Sequence, residues 1–199
     1  MNFLKNTEDK IENETNYYIY PINFNIHLKN ISLMKVNFIA VLVASLIPLI
    51  SGFIWYNPKT FGNAWMKAAD ITEDKMKGAN MAVIFGLTFL FSFFLSFAVQ
   101  FMVIHQWSLF SILANEPGLE DPNSEIGLFI KDFMAKHGNN FRTFKHGVLH
   151  GTISGITIAL PILGINALFE RKGFKYIAIN VGFWTVCLAL MGGILCAMV

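Results

Sequence analysis

The chain has 199 residues, 54% of them hydrophobic and only 14% charged, with 20 phenylalanines and a formal net charge of +2. An average soluble domain carries roughly 25% charged residues, and one of this size cannot bury so much apolar surface, so lipid is the expected solvent. The thin positive charge forms no Lys/Arg run of the kind that holds phosphate backbones, which excludes nucleic acid as a partner.

Residues 1–33 are rich in Asn, Ile, Tyr and Lys, lack periodicity, and read as a disordered tail or as an extension ahead of a start at Met34. A four-span membrane domain is expected over residues 34–199. The first apolar run, residues 36–56, holds no charge and is long enough for roughly 30 Å of helix. It exceeds the about 7–15 apolar residues of a signal peptide and precedes no A-x-A-like site, so a retained span is expected. It closes on Trp55 and Tyr56, with Pro58, Phe61, Gly62 and Trp65 just beyond. Amphipathic rings settle at the headgroup level, and the residue before Pro58 is biased away from α, so the helix should stop there. Phe61 and Trp65, four apart, should share one face of an interfacial turn, either as an anchor or as a headgroup site. Asp70 followed by Glu73 has the form of a capping box, which predicts that the second helix begins in water near Ile71.

The second apolar run covers about residues 79–104 and carries Thr88, Ser92, Ser96 and Gln100 at four-residue spacing. Small polar residues in lipid mark a helix–helix face, each hydrogen bond worth ~0.6–2 kcal/mol; the alternative is the lining of a polar pathway. Pro117-Gly118 and Asp121-Pro122 mark the long loop that follows. Within it, Ile126, Phe129, Ile130, Phe133 and Met134 recur at helical spacing between charged residues, which predicts an amphipathic helix on the membrane surface. The third run spans about residues 147–169 and the fourth about residues 176–199. Cys187 and Cys196 lie roughly 13–14 Å apart along the fourth helix and cannot pair with each other. Pro48 and Pro161 should kink spans one and three, and Asn166 and Asn180 are expected to pair across spans three and four.

Four spans put both termini and the long loop on one membrane face. The basic residues of the two faces differ by a small margin that favours a cytoplasmic location for the short loops. No Asp, Glu, Lys or Arg lies well inside a span, which disfavours proton pumps and ion-coupled carriers. No inverted repeat, nucleophile motif, P-loop or HExxH occurs, and no catalytic residue is assigned.

The third run opens on two interleaved patterns. Gly147, Gly151 and Gly155 form a small-residue stripe that lets another helix approach closely, within the chain or as a homo-oligomer seam. Beside it, His146 and His150 stand four apart on one face, and His105 ends the second span at the same membrane face. Three histidines could therefore converge on a metal, or one could ligate haem iron. Interfacial histidines bonded to loop backbone or headgroups are the alternative, since no Cys, Asp or Glu completes a ligand set.

Trp55-Tyr56-x-Pro58-x-x-Phe61-Gly62-x-x-Trp65, with Asn166 to Glu170, Ile179-Asn180-x-Gly182-Phe183-Trp184 and Met191-Gly192-Gly193 later in the chain, resembles domain-of-unknown-function family 1761 over about residues 34–199. The resemblance implies a small multi-pass protein of the bacterial inner membrane and supplies no activity; the long loop looks like an insertion relative to compact members. The expected fold is an all-α four-helix transmembrane bundle with an amphipathic interfacial helix between spans two and three. The expected partners are membrane lipids, with a homo-oligomer as the alternative use of the glycine seam. The functional readings are a non-enzymatic membrane protein without cofactor, a small-molecule transporter or channel subunit, and a histidine-ligated metal or haem protein.

Overall fold

The computed structural model describes residues 35–198; the proposed tail or extension over residues 1–33 lies outside them. Among the described residues every regular element is helical. Four helical rods are long and apolar enough to cross a membrane: Phe38–Trp55, Met81–Val103, Phe144–Phe169 and Phe174–Ala197. Only 11–39% of the most apolar stretch of each rod is buried inside the protein. The rest, including Phe53, Phe91 and Phe94, faces outward as an apolar belt, which requires lipid as its solvent.

Span one consists of α1 (Phe38–Ser45) and α2 (Ile47–Trp55), separated by a turn at Leu46. Pro48 causes the break: it has no N–H for the Ala44 carbonyl, and Ala44 instead accepts from Leu46 N–H. The amide of Asn37 caps α1 by accepting from Ala40 N–H at 3.0 Å.

The short helices α3 (Gly62–Ala69) and α4 (Glu73–Met76) follow. The expected capping box at Asp70 does not form. Asp70 is the left-handed C-cap of α3 (φ 59°), and its carboxylate accepts from Lys172 at 2.8 Å. The Lys172 ammonium also donates to Ala69 O, satisfying an end carbonyl of α3, and it holds the Asp70 carboxyl below its ordinary range. The second span, α5 (Met81–Val103), starts instead at Asn80, whose side chain accepts from Val83 N–H.

Beyond α5 lie α6 (Gln106–Ile112) and the amphipathic helix α7 (Glu125–His137), capped by Ser124. Span three comprises α8 (Phe144–Ser154), a π-turn over Gly155–Ala159, and α9 (Leu160–Phe169). Its irregularity sits directly before Pro161, which cannot donate to the turn that precedes it. Span four is the unbroken α10 (Phe174–Ala197). It forms the axis of the bundle: Cys187, Met191 and Cys196 on it are fully buried, packed with Val41, Val99 and Val103 of spans one and two.

Helix α8 lies tight against α10. A β-carbon at Gly147 would strike Gly192 O, and one at Gly151 would strike Leu188 O. At Gly155 it would lie 2.6 Å from the Thr185 hydroxyl. The stripe is thus occupied within the chain by α10, the close backbone approach that small residues permit in lipid. The stripe of α5 is buried too: Ser92, Ser96 and Gln100 are at most 3% exposed, and Thr88 is half-buried. The Ser45 hydroxyl donates to Val41 O at 2.7 Å and lies 3.2 Å from Ser96 Oγ across the seam, and Ser96 donates to Ser92 O in its own helix. Ser45, Ser92 and Ser96 thus lie in a packed seam between spans one and two, while Gln100 lies further along at a cavity.

On the short-loop face the Trp55–Trp65 motif folds onto α10. Trp55 Nε1 donates to Ile179 O at 3.2 Å. Tyr56 O–H and Trp65 Nε1 both donate to Asn180 Oδ1, at 3.1 and 3.2 Å. Phe61 stacks on Trp55 and Trp65 on Tyr56, with centroids 4.5 and 5.1 Å apart. Gly62 sits over the Tyr56 and Asn57 backbone with no room for a β-carbon, in the turn after Pro58. Asn180 therefore pairs with the motif and with Tyr176 O; Asn166 is exposed and is not its partner. Asn180→Leu would orphan two half-buried donors, a cost of about 1–3 kcal/mol each. We expect its thermal midpoint in detergent to fall by several degrees, and a midpoint equal to wild type would show that the clamp contributes nothing.

Candidate metal centre

The side chains of His105, His146 and His150 meet at the long-loop end of the bundle. His105 Nε2 lies 2.9 Å from His146 Nε2 and 3.3 Å from His150 Nε2. One nitrogen from each ring lies within 4.8 Å of the other two; His105 is exposed and the others half-buried.

Each ring is positioned by local chemistry. Helix α5 ends at Ile104, which is extended (φ −110°, ψ 94°), so the chain turns and carries His105 over the end of the span. The thiol of Cys196 contacts Val103 O at 3.4 Å. The buried amide of Gln106 donates to Asn140 O at 2.9 Å and His137 O at 3.3 Å, tying α6 to the turn after α7. Thr143 begins α8 by accepting from His146 N–H, and the glycines fix α8 against α10. Because His146 and His150 are one turn apart on that immobilised stretch, their rings share a face. Phe141 lies over His146, with centroids 5.1 Å apart and planes 30° apart. Its backbone is left-handed (φ 62°), a costly conformation for a bulky residue. The Phe141 carbonyl accepts from Thr143 N–H and from the Cys196 thiol.

The contact set suits a cation better than a proton. A neutral imidazole nitrogen carries either a hydrogen or a lone pair, so His105 Nε2 can serve its two neighbours only by sharing one N–H, or one lone pair, between them. An ion takes all three lone pairs at full strength. Two nitrogens bound to one Zn²⁺ at about 2.0–2.1 Å in tetrahedral geometry stand about 3.3–3.4 Å apart; the His105–His150 spacing of 3.3 Å matches this, and the His105–His146 spacing of 2.9 Å would have to open by about 0.4 Å. One turn deeper, Ser154 bonds His150 O at 2.9 Å and contacts Met102 Sδ at 3.6 Å. There an apolar cavity of about 230 Å³ begins, lined by Leu95, Ile158, Ile162 and Trp184 among others.

Sequence reasoning did not identify Gln106, Phe141 or Thr143 as supports. Thr143, three residues before His146, was the one legible signal, as an N-cap ahead of an apolar run.

The fold and this site define a multi-pass, all-α membrane protein with a histidine cluster at one membrane face. Residues 39–196 match the family model described as protein of unknown function, DUF1761, and the chain belongs to that family. No curated protein and no solved structure matches the chain.

Proposed function

We propose that the protein is a membrane metalloprotein that holds a divalent transition-metal ion on His105, His146 and His150, in the bacterial inner membrane that the resemblance implies. The observation that carries this reading is the approach of two histidine Nε2 atoms to a third, at 2.9 and 3.3 Å, with no acid or backbone group bonded to those nitrogens among the described residues. Three neutral imidazoles are the donor set of zinc sites that keep a fourth position open. A bound Zn²⁺ would supply Lewis acidity to whatever occupies that position. The transporter reading has less support, because the polar stripe of α5 is closed by its own packing.

Metal analysis and Co²⁺ titration of the purified full chain test the proposal. Wild type should take up about one equivalent, with visible d–d absorption of tetrahedral intensity. His146→Ala should abolish the absorption. His137→Ala should keep it, since that ring, at the end of α7, bonds Asn140 in the turn that follows instead. Absence of a Co²⁺ spectrum in correctly folded wild type would overturn the reading.

A further inference from the structure

A second site lies on the same membrane face, built from other residues. A cavity of about 180 Å³ opens between the start of α1 and the ends of α5 and α10. That is more than ten times the roughly 10–15 Å³ that one water needs. Among the described residues its polar lining consists of Lys35, Asn37, Gln100, Trp107 and Arg142, with no acid among them.

Two of these groups are buried donors without partners. Gln100 is 3% exposed, and its Nε2 has no hydrogen-bond partner among the described residues; the same is true of Trp107 Nε1. Buried polar groups in native proteins are nearly always bonded, so two orphans on residues that line one cavity mark it as a place where a ligand group can supply the missing partner. An amide can present either end, but an indole N–H only donates, which fixes the sign of the missing group as an acceptor. The two cations agree. Lys35 has no ion pair among the described residues. Among the described residues Arg142 bonds through its Nε alone, to Cys196 O at 3.1 Å, which leaves the other nitrogens of its planar fork unused there. Burial pushes the Arg142 guanidinium down from its ordinary value, since taking a cation out of water disfavours its charged form. Asn37 is already committed, to Met198 O and to its own helix.

We propose that this cavity binds a phosphate oxyanion, with Gln100 and Trp107 as neutral donors and Lys35 and Arg142 as charged ones. Phospholipid phosphates lie at this level of the bilayer, and planar guanidinium groups favour bidentate phosphate contacts. The oxyanion can therefore come from a lipid headgroup or from free phosphate in the aqueous phase.

Native mass spectrometry of the full chain, released from neutral detergent after incubation with phosphatidylglycerol or phosphatidylcholine, tests the site. A parallel titration with inorganic phosphate follows tryptophan fluorescence. Retention of phosphatidylglycerol in preference to phosphatidylcholine assigns the lipid source. A saturable fluorescence change with phosphate but no lipid preference assigns the free anion. In either case Arg142→Gln and Lys35→Gln should each weaken binding at least about tenfold, the scale of one lost charge-assisted contact. Trp107→Phe should remove the fluorescence response. Lys35 is exposed, so its variant folds even if Arg142→Gln does not. Binding unchanged in Lys35→Gln, or no binding in either arm, would overturn the proposal.

Discussion

Gly151→Ala should destabilise the protein by about 3 kcal/mol, at the upper end of what a single added carbon costs a packed core, and Gly151→Leu should leave no folded protein. The added β-carbon at this position would lie on the Leu188 carbonyl and against Ala189 Cα. Both are backbone atoms of α10, so no rotamer change can relieve the clash; the two helices must separate. Separation is costly because α10 also carries the fully buried residues that spans one and two pack against. Gly164→Ala on the same span supplies the control. No heavy atom lies within 4 Å of a β-carbon there, so it should be neutral or gain the roughly 0.5–1 kcal/mol that alanine offers over glycine in a helix. A thiol-reactive dye reads both, because Cys187 and Cys196 are free and fully buried until the bundle opens. Equal melting of Gly151→Ala and wild type would refute the close packing of α8 on α10.

This prediction was half visible in the sequence. Four-residue spacing identified Gly147, Gly151 and Gly155 as a close-approach face, because periodicity tells which residues share a side of a helix. The partner helix was not visible, since a small-residue stripe is satisfied equally by a neighbour in the same chain or in another copy. The spans were legible for the same one-dimensional reason: charge-free apolar length is a local property. The amphipathic α7 was legible through its period. What failed was chemistry that depends on who arrives from elsewhere. Asp70 has the spacing of an N-cap, yet Lys172 reaches it from the opposite loop and it ends α3 instead. Asn180 was expected to bond Asn166, but Tyr56 and Trp65 take it. Gln100 read as the last member of a polar stripe. Its place beside Lys35 and Arg142 depends on three helix ends meeting, which no spacing rule encodes. The histidines lie between these cases. Topology alone places His105 at the membrane face of His146 and His150, but only the turn at Ile104 brings the rings within 3.3 Å.

Metal binding should raise the thermal midpoint by roughly ten degrees, and His105→Ala should abolish the rise. An ion that binds only the folded state contributes RT ln(1 + [L]/Kd), about 4.1 kcal/mol at a free concentration one thousand times Kd. A chain of this size gains roughly 2–4 °C per kcal/mol. The effect comes specifically from His105. His146 and His150 sit on one helix, so an ion held by those two alone would fix nothing that α8 does not already fix. The third ligand comes from beyond the end of α5, so the ion also ties span two to span three. His105→Ala should therefore lose the metal-induced shift while keeping nearly the wild-type midpoint without metal, because the exposed ring packs against little besides its two partners. His150→Ala should behave alike, and His137→Ala should shift as wild type does. Light scattering during a thermal ramp is the suitable readout, since zinc on the thiols freed by unfolding would block a thiol-reactive dye; the same uptake sets an upper limit on the shift. A zinc-dependent rise that survives His105→Ala would place the ion elsewhere in the protein.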